Sequence, residues 1–456
     1  MYSMRPMGTL TLGSTLILKH CTGNSWRSRM ETPDLHNLPI NPNPPSIMHI
    51  DLNSYFATIE QQANKHLRGK PVLIAAYDSP RGCVVAPSKE AKKAGIKVGN
   101  RVLEARLIAP NAVVRTPDTA LIRDAHVKFN KICRDYSPNV VPKSIDELVI
   151  DFAGMDYYLK DRSLTEIAQE IKGRIQKEVG EWVTCSVGIS TNRFLAKVAA
   201  SYQKPDGLVV IDQTNILKIY STMELTDLPY IKYKNQARLK EAGIFTIADF
   251  LQADAEVLKA RVFESVNGYA WYKRIRGWEV DAIEFARKSF GQDYMLQKVT
   301  RDPKVLAQIL LKLCEKMGRR LRRHGNVAYR IHTSCIFVDR TWWHQQKKFR
   351  SPMYTTLELF RAAQYILDLR PDEIKKIAKI SVSCYDLAPS KSSQISLFED
   401  AENKMRKVSD ALDEINNRYG EFVITPAAMM SMDKTVVDRI AFGAVKEIQD
   451  LYESYS

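Results

Sequence analysis

Apolar and polar positions alternate along this chain in two rhythms, and the switches between them mark out the elements. Residues 46–51 carry Ile47, Met48 and Ile50 in a short run, the pattern of a buried strand. Residues 55–67 space their apolar positions at helical intervals. A second strand is predicted at 71–76, a Pro-Arg-Gly turn at 80–82, a third strand at 83–86, and a helix at 88–94 that Gly95 stops. This β-α-β-β-α run predicts a mixed sheet. Helices follow at 121–136, 164–179 and 192–201. Two short strands joined by a tight turn are expected over 143–152, with further strands at 183–189 and 209–212.

From 213 to 286 the pattern is helical, with turns at Gly243 and Gly277. It changes again over 287–398. Val305, Ile309, Leu313, Met317 and Leu321 recur every four residues on one helical face, while 329–338 and 377–387 alternate as half-buried strands. The fold class expected is α+β and multidomain. Two stretches stand apart. Residues 1–47 have no clear period and end in a Pro-rich run at 38–45, so a disordered or loosely attached extension is expected, with Met48 as a candidate start. Residues 399–456 read as a tail, helical at 402–419 and 434–452 and broken by Gly420 and Pro426.

Composition narrows the partners. The chain has 456 residues, room for about three to four domains. Its net charge of +15 and pI near 9.3 point to a polyanion, either nucleic acid or an acidic membrane surface. No apolar run reaches the ~18 residues a bilayer span needs. The apolar stretch 10–18 is broken by Gly13 and Ser14 and makes a poor signal peptide. Residues 287–398 hold 22 Lys and Arg against 9 Asp and Glu, a surplus of +13, as expected of a phosphate-facing domain. On the helix there, Lys316, Arg319, Arg320, Arg322 and Arg323 either complement the helix dipole or sit on phosphates. The seven cysteines (21, 83, 133, 185, 314, 335 and 384) are scattered and lack a C-x-x-C pair. They read as reduced thiols in a cytoplasmic protein.

The candidate chemistry is acidic. Asp51 ends an apolar strand, and Asp146 and Glu147 stand side by side after Ser144-Ile145, at the head of another. A carboxylate there is costly to bury unless it is paired or ligates a cation. Three carboxylates on neighbouring strands suit Mg²⁺. Two such ions ~3.5–4 Å apart can bind the attacking and leaving oxygens of a phosphoryl transfer. Adjacent residues on a regular strand face opposite ways, so Asp146 and Glu147 share a metal only if the turn before Leu148 tilts them together. The competing reading, strand-end caps and turn residues, is favoured by the pattern alone.

The wider text weighs against that reading. His49-Ile50-Asp51-Leu52-Asn53-Ser54-Tyr55-Phe56, Gly82-Cys83-Val84-Val85-Ala86, Ser144-Ile145-Asp146-Glu147, and Gly188-Ile189-Ser190 through Lys204-Pro205-Asp206-Gly207 occur in order. Over about 48–398 the chain resembles the Y-family, or lesion-bypass, DNA polymerases. The resemblance implies a right hand: palm 48–72 with 119–215, fingers 73–118, thumb 216–286 and little finger 287–398. It implies a template-directed DNA polymerase of low processivity that performs translesion synthesis on primer–template DNA with dNTPs. Two Mg²⁺ ions would serve it, with Mn²⁺ as a substitute. Asp51 and Asp146 would bridge both ions, Glu147 would hold the one at the primer 3′-hydroxyl, and Leu52 would lend its backbone carbonyl. Tyr55 and Phe56 would bind the nucleotide, Phe56 as a steric gate against a 2′-hydroxyl. Lys204 would reach the triphosphate.

The same resemblance shows departures. Lys89 and Lys92 stand where many members have Tyr and Arg, keeping the charge but losing arginine's planar grip. Lys92 and the Gly-Cys-Val-Val-Ala segment look more like the polymerase V catalytic subunit than polymerase IV. The thumb reads Leu-Pro-Tyr-Ile-Lys-Tyr-Lys at 228–234 where members often have Gly-x-Gly, so Lys232 and Lys234 would contact DNA by side-chain charge. Gln394, Leu397 and Phe398 in Gln-Ile-Ser-Leu-Phe resemble the peptide that bacterial polymerases insert into the sliding clamp. A cytoplasmic, nucleoid-associated enzyme with no membrane partner is implied. Two other classes compete, an inert DNA- and clamp-binding adaptor and a nucleotidyl cyclase. The retained carboxylates disfavour the first, and the basic 287–398 segment the second.

Overall fold

The opening apolar run becomes β1 (Ile47–Leu52), buried along its whole length. The structure is a computed structural model and describes residues 38–75, 77–159, 162–282, 287–371, 375–390, 400–419 and 422–429. After β1 come α1 (Tyr55–Ala63) and a small unit of β2 (Val72–Ala75), β3 (Val84–Pro87), α2 (Lys89–Lys93), α3 (Val102–Ile108) and β4 (Val113–Arg115). Then α4 (Thr119–Arg134), β5 (Val140–Pro142), β6 (Glu147–Asp151), α5 (Asp156–Leu159), α6 (Leu164–Arg174), β7 (Cys185–Ser190), α7 (Arg193–Tyr202) and β8 (Leu208–Ile211) complete a central unit. Its sheet runs β5-β6-β1-β7-β8, and the small sheet runs β3-β2-β4.

Period-two alternation gives the central sheet two different faces. Met48, Ile50 and Leu52, with Leu148, Ile150, Val187 and Ile189, pack against Phe56, Ile59, Phe129 and Ile171 of the flanking helices. On the other face Ile47 and Val149 meet Ala196 of α7. Gly188 permits that contact: a Cβ there would lie 2.1 Å from the Ala196 carbonyl oxygen and 2.2 Å from the Ala200 nitrogen. Only glycine lets α7 lie this close to β7.

A helical unit follows, with α8 (Ile216–Tyr220), α9 (Tyr233–Glu241), α10 (Ile247–Gln252), α11 (Ala255–Val257) and α12 (Asn267–Arg274). Its core takes Phe194, Leu195 and Val198 from α7, so that helix is shared between two units. The loose attachment expected of residues 1–47 does not extend to 38–46. Leu38 and Ile40 pack on this core. Asn41 donates its backbone N–H to Arg276 O (2.8 Å) and its side chain to Gly277 O (3.0 Å), and the Trp278 indole donates to Pro39 O (2.8 Å). Proline-rich backbone is already extended, and here it finds an apolar surface and carbonyl partners. Residues 1–37 lie outside the described part.

The last unit holds β9 (Ser289–Thr300), α13 (Pro303–Arg323), β10 (Asn326–Phe337), β11 (Trp342–Met353), α14 (Thr356–Asp368) and β12 (Ile377–Pro389), in sheet order β11-β10-β12-β9. The two helices pack together over the sheet's apolar face. A further helix, α15 (Asp400–Tyr419), docks on them. Arg322 Nε and Nη2 donate to the two Asp413 oxygens at 2.6 and 2.8 Å, Arg323 donates to Asn417 (2.8 Å), and Lys312 lies over the Phe422 ring (4.6 Å). Met429 joins the core. The basic half of α13 therefore turns partly inward, onto the chain's own C-terminal segment. The helix expected at 434–452 lies outside the described residues.

Candidate active site

The antiparallel register of β1 and β6 sets Asp51 opposite Glu147. β6 begins at Glu147, so Asp146 belongs to the turn and escapes strand alternation. Both Lys143 N–H (2.9 Å) and Ser144 N–H (3.2 Å) donate to Glu147 O, and Leu52 N–H donates to Asp146 O (2.9 Å). Carboxylates from distant parts of the sequence thus meet at one end of the central sheet.

Their protonation is set by burial and by one another. Burial pushes the Asp51 carboxyl up against the pull of Lys204, and the charges of Glu147 and Asp146 push the same way. Asp146 is also raised by burial, while the Ser144 hydroxyl, donating at 2.5 Å, holds it down. For Glu147, burial is outweighed by His49 and Lys197, which bring it well below the usual carboxylate range. Lys197 Nζ donates to Glu147 Oε2 at 2.6 Å, and buried His49 Nε2 lies 3.5 Å from the same oxygen. Lys204 Nζ donates to Asp51 Oδ2 at 2.5 Å.

Among the described residues, no three His, Cys, Asp or Glu side chains converge on one point as a ready-made metal centre. Each carboxylate is tied instead to its own partner: Asp51 to Lys204, Asp146 to Ser144, and Glu147 to Lys197. The donor set still fits a hard divalent cation. It is all oxygen, it is largely buried, and two of its three members are unfavourable as bare anions.

Around this cluster the sequence-derived candidates fall as follows. Lys92 feels the charges of Lys204, Asp51 and Asp146, and burial lowers its pKa. Lys89, likewise lowered by burial, donates to Thr184 Oγ1 at 2.6 Å. Leu52 is buried beside the Asp146 turn. Phe56 is 2% exposed and stands edge-on to Tyr55, ring centroids 5.7 Å apart. The Tyr55 hydroxyl donates to Ile122 O at 2.6 Å, so its side chain is committed to the core and only its backbone faces the helix start. Before it, Ser54 takes a left-handed φ of 50° and caps α1 without a side-chain hydrogen bond. Gln394, Leu397 and Phe398 lie outside the described residues.

Several residues at the site were given no role by the sequence reading. Asn53 Oδ1 accepts from Asp206 N–H (2.8 Å) and Thr184 Oγ1 (3.1 Å), and its amide donates to Ser186 (3.0 Å). This places the loop that carries Lys204. Lys172 clamps the same loop through the Asp206 carbonyl and carboxylate, both at 2.7 Å, and reaches Cys185 O (2.9 Å). His49 and Lys197 complete the set. The one available signal for Lys197 was a lone cation in the apolar helix Phe-Leu-Ala-Lys-Val-Ala-Ala.

Comparison with known proteins gives a consistent result. Residues 50–201 match the model of the impB/mucB/samB family, and 287–397 match the model of that family's C-terminal domain. DNA polymerase IV of Moorella thermoacetica is 33% identical over 392 residues, 85% of this chain and 96% of that protein. DNA polymerase IV of Pelotomaculum thermopropionicum is 31% identical over 84% of this chain and 95% of its own length. Among solved structures, a Y-family DNA polymerase chimera of Dbh and Dpo4 superposes with a TM-score of 0.66 at 24% identity, over 75% of this chain and 99% of that one. An insertion ternary complex of Dbh DNA polymerase gives 0.53 at 23% identity, over 74% and 98%.

Proposed function

The chain belongs to the Y-family DNA polymerases, on the polymerase IV side of the family, and from that premise we propose that it performs translesion synthesis with Asp51, Asp146 and Glu147 as its metal-binding carboxylates. The likeness to polymerase IV makes Lys89 and Lys92 a local variation of the fingers rather than a mark of polymerase V. The observation that carries the site assignment is the register opposing Asp51 to Glu147, with Asp146 in the adjoining turn. Two divalent ions, Mg²⁺ with Mn²⁺ as substitute, would be held by these carboxylates and the Leu52 carbonyl. Bound there, they would supply charge neutralisation and a more acidic primer hydroxyl.

The chain's own residues do the positioning. Lys204, Lys89 and Lys92 would offer positive charge to the incoming triphosphate, and the backbone N–H groups at the start of α1, Tyr55 included, would be available to the same anion. Phe56 would lie beneath the sugar and leave no room for a 2′-hydroxyl. Template pairing chooses the base, so the protein contributes geometry more than covalent chemistry. The sheet of the last unit, where Arg330 stands opposite Lys348, would follow the duplex backbone. The small β2–β4 unit leaves the nascent pair open, which favours damaged templates and low processivity. The peptide at 394–398 would recover processivity through the sliding clamp. Such an enzyme works in the cytoplasm, at the nucleoid.

The test is primer extension with Mg²⁺ on undamaged and abasic templates. The wild type extends both. An Asp146→Ala/Glu147→Ala double variant loses extension by at least ~10³-fold, in line with losing the main electrostatic stabilisation. Comparable extension by the double variant refutes the assignment.

A further inference from the structure

The two strongest acid–base contacts of the catalytic cluster each join a carboxylate to a lysine. Lys197 Nζ lies 2.6 Å from Glu147 Oε2, and Lys204 Nζ lies 2.5 Å from Asp51 Oδ2. The Lys197 and Glu147 side chains are both largely covered, at 27% and 17% exposed. Lys197 is not placed by chance. α7 is capped by Asn192 (Asn192 Oδ1 accepting from Leu195 N–H, 2.7 Å), pinned by Arg193 between Asp151 (3.1 Å) and Glu279 (2.9 Å), and drawn onto the sheet at Gly188. That seating delivers its one lysine to the catalytic glutamate. The lysines stand where cations are wanted.

We propose that Lys197 is a positioning residue that holds Glu147 in the metal-free enzyme and is displaced by a divalent cation, while Lys204 leaves Asp51 for the nucleotide triphosphate. This rests on the catalytic reading of the carboxylates. The exchange conserves charge pairing at each stage: an ammonium leaves a carboxylate only as a divalent ion or a phosphate takes over. It also orders the events. Free metal competes against two lysines, whereas metal arriving with a triphosphate competes against fewer, because the triphosphate itself draws Lys204 away. The site is thereby kept weak for metal alone and becomes strong when nucleotide is present. Lys197 carries no such release onto phosphate, so its removal is the clean probe.

The experiment is Mn²⁺ binding to the full chain without DNA or nucleotide, read from the loss of the free-ion electron paramagnetic resonance signal. Lys197→Met keeps the aliphatic stem and removes the competitor. It is expected to bind Mn²⁺ about fivefold more tightly, the scale of one partly covered ion pair. Lys197→Arg retains the pair and is expected at or below wild-type affinity, which keeps the test alive should the methionine variant fold poorly. Asp51→Asn and Glu147→Gln are expected to weaken binding. If they do so while Lys197→Met binds no more tightly than wild type, or Lys197→Arg binds more tightly, the exchange is overturned and the catalytic reading stands. If neither carboxylate variant changes Mn²⁺ binding, both fall.

Discussion

Consider Asp413→Ala on α15. The Arg322 side chain is 3% exposed and that of Asp413 11%. Their contact is a two-pronged pair at 2.6 and 2.8 Å, and Arg322 Nη1 also donates to Tyr354 O at 3.0 Å. Burial works against the guanidinium charge, and Asp413 more than offsets it. Alanine removes the main counter-charge and leaves the buried cation with the Tyr354 carbonyl, the Thr356 hydroxyl at 3.4 Å and the more distant charge of Glu315. Breaking a buried pair from one side costs about 3–5 kcal/mol. At ~2–4 °C per kcal/mol for a unit of this size, the melting transition of the C-terminal sheet unit should fall by about 10 °C. Calorimetry or urea titration reads this directly. Replacing both partners, Arg322→Met with Asp413→Leu, should recover most of the loss, since an apolar pair of similar volume is often no less stable. Primer extension well below the transition should persist, because the proposed catalytic carboxylates lie in another unit. A loss under ~1 kcal/mol in the single variant would refute the view that this pair fastens α15 to α13.

Phe56→Ala should raise ribonucleotide incorporation in primer extension, and unchanged sugar selectivity would remove Phe56 from the nucleotide site. Leu397→Ala with Phe398→Ala should abolish capture by a bacterial sliding clamp while sparing distributive synthesis, and surviving capture would sink the clamp peptide. His126, which meets Ile145 O at 2.7 Å next to the turn that carries Asp146, is lowered by burial to about 4 from 6.5. Between these values the unfolded chain takes up a proton that the folded chain refuses. Stability is therefore full above pH 6.5 and falls by up to ~3 kcal/mol as pH drops toward 4. His126→Gln should flatten that slope in urea titrations at pH 7 and 4.5, and an unaltered slope would refute the assignment.

What could be read from the sequence, and what could not, follows from how far apart the cause and its partner lie. β1 and the hairpin at 143–152 were legible because both are short apolar runs closed by acidic residues, and burying a carboxylate is costly in any context. β11 was not legible: from Trp342 to Met353 most positions are exposed, so no period-two contrast exists to detect. β9 failed for the same reason, with only Phe290, Tyr294 and Leu296 buried. For the basic half of α13 a sequence shows a cation's charge but not its partner, and for Arg322 that partner lies 91 residues away. Lys197 is the sharpest case. An acid at a strand end demands an explanation, whereas a lysine in a helix reads as solvated by default. Its contact with Glu147 depends on Gly188, on another element, letting the helix lie close enough. The acidic half of the candidate centre is a local property of the text, and its cationic half is a property of packing, so mutations at Gly188 should disturb the cluster as surely as mutations within it.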